Sequence, residues 1–211
     1  STPGFTGGAV KIDAAGRLHV AYEDDSAAVL GQDVFYRRST DGGATFSTPI
    51  RLNAAGSTGF QAAVATDGDR VFVVWSGGVA GQNERVYVAR STDAGVTFAA
   101  PVAVSPDNQR AFYPNVAVDR SGKVLVAYYD VVQGYAVLGT TRSTNGGAVF
   151  DAPTAISDGA PSTTTRPGIA FDSKGAAYVT YTRQVVVGAG FLLSSARIAI
   201  AKDGRSFGTP Y

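Results

Sequence analysis

The chain has no cysteine and no methionine, and only one histidine and one tryptophan. Without thiols there are no disulfides and no thiolate metal sites, and His19 alone cannot build a histidine-rich zinc centre. A histidine-dependent catalytic triad is equally disfavoured. An excess of charge of either sign is also missing: 18 Lys and Arg face 17 Asp and Glu, so no basic field marks the chain for nucleic acid or an anionic membrane. The longest apolar run, Val185 to Leu193, falls well short of the about 20 residues needed to cross a bilayer, and no basic-then-apolar leader opens the sequence. Membrane insertion is therefore not expected, and the missing methionine, position 1 included, is what a processed or excised chain shows. No stretch keeps a helical period between a start and a stop signal, so almost no helix is expected and no Gly-rich phosphate loop has a helix to open. No cofactor is expected.

What the sequence does contain is a repeated corner. Residues 39–46, STDGGATF, return as 91–98, STDAGVTF, and as 143–150, STNGGAVF, at a constant spacing of 52 residues. A worn fourth copy keeps Asp203 and Phe207. Asp41, Asp93 and Asn145 can accept bonds from backbone N–H groups further on, Ser39, Ser91 and Ser143 add a side-chain bond, and Gly43, Gly95 and Gly147 tolerate a left-handed backbone. The closing Phe46, Phe98 and Phe150 are expected to drive their rings into the core. A group needed in every repeat is read as architecture, not catalysis.

The pattern Ser-x-Asp-x-Gly-x-Thr-Phe resembles the Asp-box, or bacterial neuraminidase repeat, of sialidase-like β-propellers. Two copies match in full, the third has Asn145 and Val149, and with flanking strands the resemblance covers nearly the whole chain. It implies a propeller fold, a secreted or cell-surface location, and a ligand face opposite the boxes.

Superimposing the boxes aligns four sections. Each opens with a strand ending in Asp (Ala9–Asp13, Ala63–Asp67, Val116–Asp119, Ile169–Asp172), and each continues into a second strand ending in Tyr22, Trp75, Tyr128 or Tyr181. A third strand runs into the box: Val34–Arg38, Arg85–Arg90, Ala136–Arg142, Arg197–Ile200. Short fourth strands follow at Pro49–Asn53, Pro101–Ser105 and Pro153–Ser157. Strands rich in Val, Tyr and Thr between Gly- and Asp-bearing turns, at a period of about fifty residues, predict an all-β propeller of four blades near 8–53, 60–105, 114–157 and 167–211. His19, aligned with Phe72, Leu125 and Tyr178, is expected to pack between blades. The last blade lacks an outer strand. This leaves a small four-bladed ring or an excerpt of a larger propeller, completed by further blades or by self-association.

Subtracting the repeat leaves the chemistry. On the face opposite the boxes stand Glu23, Asp24, Asp25 and Gln32, then Gln82, Asn83 and Glu84, then Asp130, Gln133 and Tyr135, then Arg183 and Gln184. The inter-blade crossings add Phe60, Asp107, Asn108, Arg110, Tyr113, Thr165 and Arg166. The candidate ligand-binding residues are Glu23, Asp24, Arg110, Tyr113, Asp130, Arg166 and Arg183. By resemblance, a sialidase needs three arginines on a substrate carboxylate, a Tyr–Glu nucleophile pair and an acidic Asp. Arg110, Arg166 and Arg183 have the guanidinium geometry for a carboxylate. The family's Arg-Ile-Pro motif is absent, and Thr165-Arg166-Pro167-Gly168 departs from it, so no catalytic residue is carried over. Glu23-Asp24-Asp25 lacks the alternating ligand spacing of a calcium loop, and no metal is expected. The apolar Val185–Leu193 is read as a blade-four insertion, either a loop of the kind that marks an interface or a longer hairpin whose apolar residues fold back onto the blade.

The preferred reading is a non-enzymatic sialidase-like propeller binding a glycan or a protein through its loop face. The alternative is an exo-glycosidase of sialidase type acting on sialylated glycans.

Overall fold

The computed structural model describes residues 5–25, 32–132, 135–156, 166–187, 191–204 and 206–211. Among them there is no helix. Fifteen strands form four antiparallel sheets in chain order. The first holds β1 (Phe5–Ile12), β2 (Leu18–Asp24), β3 (Asp33–Ser39) and β4 (Ile50–Arg51); the second β5 (Ser57–Asp67), β6 (Arg70–Val79), β7 (Arg85–Ser91) and β8 (Val102–Ala103). The third holds β9 (Arg110–Val118), β10 (Val124–Val132), β11 (Tyr135–Ser143) and β12 (Thr154–Ala155), and the fourth β13 (Gly168–Phe171), β14 (Ala177–Val187) and β15 (Phe191–Ala201). First strands neighbour one another from sheet to sheet, which puts them innermost and makes each sheet a blade.

The core lies between blades. One apolar cluster joins blades one and two around Tyr36, Val64, Val73 and Trp75. A second joins two and three around Phe72, Val74, Val126 and Tyr128, and a third joins three and four around Tyr129, Leu138, Val179 and Tyr181. Successive side chains of a strand point to opposite faces. A second strand packed on both faces is therefore apolar throughout, and Val71 to Trp75 are all buried. Each such side chain contributes roughly 1.5–3 kcal/mol on burial.

The inner strands are longer than the expected Ala9–Asp13, Ala63–Asp67 and Val116–Asp119. Each continues past a register shift, between Phe5 and Gly8, between Phe60 and Ala63, and opposite Ala127 and Tyr129. Phe60, Arg110 and Tyr113 therefore lie in strands, not in crossings. A bulge lets pairing resume after one unpaired residue, which a turn-based reading takes as the strand's end.

For Val185–Leu193 the strand pairing supports the longer hairpin. Strands β14 and β15 remain paired out to Val187 and Phe191, so the segment lengthens the hairpin on either side of residues 188–190, which lie outside the described residues. The side chain of Leu192 is likewise outside them. The third strand of blade four thus starts at Phe191 and not at Arg197. Beyond it, Tyr211 exchanges both backbone hydrogen bonds with Ile198, at 3.0 and 3.3 Å, so the last residue occupies the outer-strand position.

Phe46 does not enter the core. Its ring is 37% exposed under the Arg37 guanidinium, 5.8 Å away. Phe98, Phe150 and Phe207 each pack on the cluster shared with the preceding blade, and among the described residues no cluster lies on the corresponding side of blade one.

Candidate functional site

The corners close on themselves. Ser39 Oγ donates to Asp41 Oδ1 (2.7 Å) and accepts from Gly43 N–H (2.9 Å), while Asp41 takes Thr45 N–H (2.9 Å) and Thr45 Oγ1–H (2.5 Å). Ser91, Asp93, Gly95 and Thr97 repeat this geometry. In the third copy Asn145 Oδ1 accepts from Ser143 Oγ and Val149 N–H, and in the fourth Asp203 accepts from Ser206 N–H (2.9 Å). The bonds from Thr45, then Ser39, hold the Asp41 carboxyl down at about 2. At Gly95 and Gly147 the backbone is left-handed, and a side chain there would collide with Tyr36 and with Phe72 of the preceding blade. These polar groups are spent within the corners.

At the other end of the inner strands the bulges do something different. Counting six residues back from each strand-ending Asp gives Gly7, Gln61, Tyr113 and Arg166. Gln61 (φ 60°) and Tyr113 (φ 53°) hold a left-handed backbone that side chains other than glycine rarely adopt, a strain that collects at sites where geometry matters. Bulges re-aim side chains, and here the one at Gln61 turns its amide toward the neighbouring blade. Gln61 Oε1 accepts from Tyr113 N–H at 2.7 Å, linking the two bulges.

Ala62, the residue after Gln61, is the centre of the arrangement. Ala62 N–H donates to Glu23 Oε1 of blade one (2.9 Å), and Ala62 C=O accepts from Arg166 Nη1 of blade four (2.7 Å). Glu23 is buried, and Gly7 leaves room for its carboxylate, which a Cβ there would meet at 3.1 Å. Following blades have Pro114 and Pro167 where blade two has Ala62, and proline has no N–H to satisfy. Opposite those prolines the residue equivalent to Glu23 is Ser76 or Tyr129, not a carboxylate.

Arg166 is exposed to solvent yet closely surrounded by protein. Burial lowers its pKa and the charge of Glu23 raises it. Among the described residues its remaining guanidinium N–H groups have no hydrogen-bond partner. Glu23 and Arg166 thus set one carboxylate and one guanidinium on the two polar groups of Ala62.

The other candidates are dispersed. Arg110 is on the rim, bidentate to Glu84 at 2.6 and 3.0 Å and stacked over Phe112 at 5.0 Å. Arg183 is half-buried on β14, on the face that carries Tyr181 and Val179 toward blade three. Tyr113 packs its ring against that blade three–four cluster. Asp24 neighbours Glu23 on one strand and so faces the other side of the sheet, which breaks up the acidic run. Among the described residues no group of three His, Cys, Asp or Glu is placed to hold a metal ion.

Asp130 stands apart. It is buried between blades two and three, with Oδ1 lacking a protein partner and Oδ2 lying over Gly139 beside the Tyr128 ring. Burial pushes its carboxyl up to about 7. The equivalents of Gly139 carry large side chains: Phe35 stacks on Tyr22 at 5.7 Å and Tyr87 on Trp75 at 5.8 Å. Gly139 vacates that space for the carboxylate.

A cavity of about 480 Å³ opens at the opposite end of the axis, among Asp67, Asp119, Lys123, Asp172 and Lys174. Asp119 and Asp172 accept backbone N–H groups of their own turns, so these carboxylates are structural. His19 is buried between Tyr36 OH (Nδ1, 2.6 Å) and Asp13 Oδ2 (Nε2, 3.2 Å), and burial lowers its pKa. Gln61 is the residue missed by reading loops alone; counting back from each Asp to positions whose residue type does not recur finds it.

These blades form a β-propeller, of the kind seen in sialidases and arabinan-degrading enzymes. Among solved structures, the chain superposes on an α-L-arabinanase of Penicillium chrysogenum with a TM-score of 0.67, at 14% identity over 97% of this chain and 64% of that one. The microbial sialidase Hz136 gives 0.66 at 15% identity, over 98% of this chain and 45% of the other. The intramolecular trans-sialidase of Ruminococcus gnavus gives 0.64 at 11% identity, over 99% and 70%. No protein-family model and no curated protein matches the sequence. The chain spans 45 to 64% of the length of the first three solved structures it resembles.

Proposed function

We propose that this chain is a non-enzymatic glycan-binding propeller module, acting outside the cell, whose axial opening takes an anionic sugar. The observation that carries the reading is the Glu23–Ala62–Arg166 relay, which holds one guanidinium on the axis with an edge left for a ligand. A carboxylate-bearing sugar matches that edge, which is held on the residue next to the strained bulge position Gln61. The glycoside-cleaving proteins among the solved structures of this fold agree with a sugar ligand. The dispersal of Arg110, Arg183 and Tyr113 favours binding over hydrolysis. No helix among the described residues is long and apolar enough to cross a membrane.

Titration calorimetry with sialyllactose against lactose tests the proposal. Binding of the acidic sugar alone, lost in Arg166→Ala, supports it; equal binding of both, or of neither, removes the anion site. The second reading, an exo-glycosidase, draws on Asp130, whose raised pKa leaves a carboxyl partly protonated near neutrality, as an acid catalyst requires. Hydrolysis of a fluorogenic sialoside, abolished in Asp130→Asn, would replace binding with catalysis.

A further inference from the structure

The two outermost blade faces are halves of one junction. On blade one, cross-strand register places Val10 with Val20, Ile12 with Leu18, and Tyr22 with Phe35 on the face turned away from blade two. Val10 is 58% and Ile12 66% exposed, whereas the equivalent Val64 and Val116 are 2% and 4% exposed. Leu18 and Val20 are half-buried; their counterparts Val71, Val73, Val124 and Val126 are fully buried. The same face carries the exposed Phe46, and beside Gly43, where Gly95 and Gly147 have an aromatic side chain of the preceding blade, only Leu18 of the same blade comes near.

Blade four offers the complement. Register places Ala170, Tyr178 and Ile200 together, and Thr180 with Ile198, on the face turned away from blade three. Tyr178 is half-buried and Thr180 exposed, while the residues in their positions in earlier blades, Phe72 and Leu125, Val74 and Ala127, are buried against the next blade. Among the described residues no apolar cluster joins blade four to blade one of the same chain.

We propose that a second copy of this chain docks head-to-tail, its blade four covering the open face of blade one. The contact continues the three junctions already built. Tyr178 of the incoming copy takes the place under Gly43 that Phe72 takes under Gly147, and Val10 and Ile12 enter the contact that Val64 and Val116 make inside the chain. One interaction is missing from the copy: Arg17, Arg70 and Lys123 reach from their turns toward the next blade, and blade four has Ala176 at that position. The new junction is therefore weaker than the internal ones and depends on concentration.

Sedimentation velocity of the wild-type chain from low to high micromolar concentration tests this, with Ile12→Asp and Thr180→Arg as variants at exposed positions. The expected result is a wild-type mass rising in steps of 21.7 kDa, and each variant alone at the single-chain mass. An equal mixture of the two regains a two-chain species, because one intact face of each remains. Circular dichroism melts matching wild type show the variants folded, and Val10→Asp substitutes for Ile12→Asp if that variant does not fold. A wild-type chain that stays at one copy throughout overturns the proposal, which would leave the face to a further blade or to solvent. Association abolished by Ile12→Asp but untouched by Thr180→Arg overturns it too, since that is a head-to-head contact.

Discussion

Arg166 Nη1 donates to the carbonyl of Ala62 at 2.7 Å across 104 residues of sequence. A bond from blade four to blade two that passes over blade three can be made only near the axis, and it puts this guanidinium beside the buried Glu23. Arg166→Ala is expected to weaken binding of an acidic sugar at least tenfold, about 1.4 kcal/mol. Arg166→Lys keeps the charge without the planar fork and should fall between the two. Calorimetry reads both, and wild-type affinity in Arg166→Ala would take the ligand off the axis.

Glu23 accepts the backbone N–H of the same residue, Ala62. Glu23→Ala leaves a buried donor unsatisfied and should cost about 1–3 kcal/mol of stability. Glu23→Gln keeps an acceptor at that position and should cost clearly less. Urea denaturation midpoints of the two variants separate these outcomes; equal losses would mean that the carboxylate's charge matters more than the hydrogen bond.

Asp130 makes stability fall with rising pH. Its folded pKa, about 7, lies above the ordinary 3.8, so between these values the folded state holds a proton that the unfolded chain has released. Stability is lost progressively over that window, on the order of a few kcal/mol by its upper end. Asp130→Asn should flatten the profile. Urea midpoints taken from pH 4 to 8 measure the slope (about 1.4 kcal/mol per pH unit for one proton), and an unchanged slope in the variant would assign the effect elsewhere.

Asp41 has the opposite sign. Its folded pKa of about 2 lies below 3.8, so its contribution is complete above the unfolded value and disappears as pH falls through about 2. Asp41→Ala should lower the Tm at pH 7. Asp41→Asn should be milder, because Asn145 already makes the corresponding bonds to Ser143 and Val149 in the third corner. Ligand affinity should be unmoved by either change, since the corners lie at the far end of the strands from Arg166.

The corners, the all-β class and the four strands to a blade were legible because each rests on neighbours in sequence. An Asp that accepts the N–H four residues on needs nothing outside its own turn. Strand ends were harder. A bulge at Gln61 or Tyr113 looks like the end of a strand until the partner strand shows that pairing resumes beyond it. Phe46 looks equivalent to Phe98 and Phe150, and its exposure goes with the absence, among the described residues, of a cluster on that side of blade one.

Local turn chemistry and the repeat period were enough for this chain to state its own architecture, since both are short-range and recur. Which polar side chains meet was settled at long range. Glu23, Ala62 and Arg166 come from three blades, and nothing in their spacing distinguishes them from Asp24, Asp25 or Arg110. Blade packing brings Glu23 and Arg166 together on Ala62 and leaves Arg110 paired with Glu84, contacts between blades that local spacing does not encode.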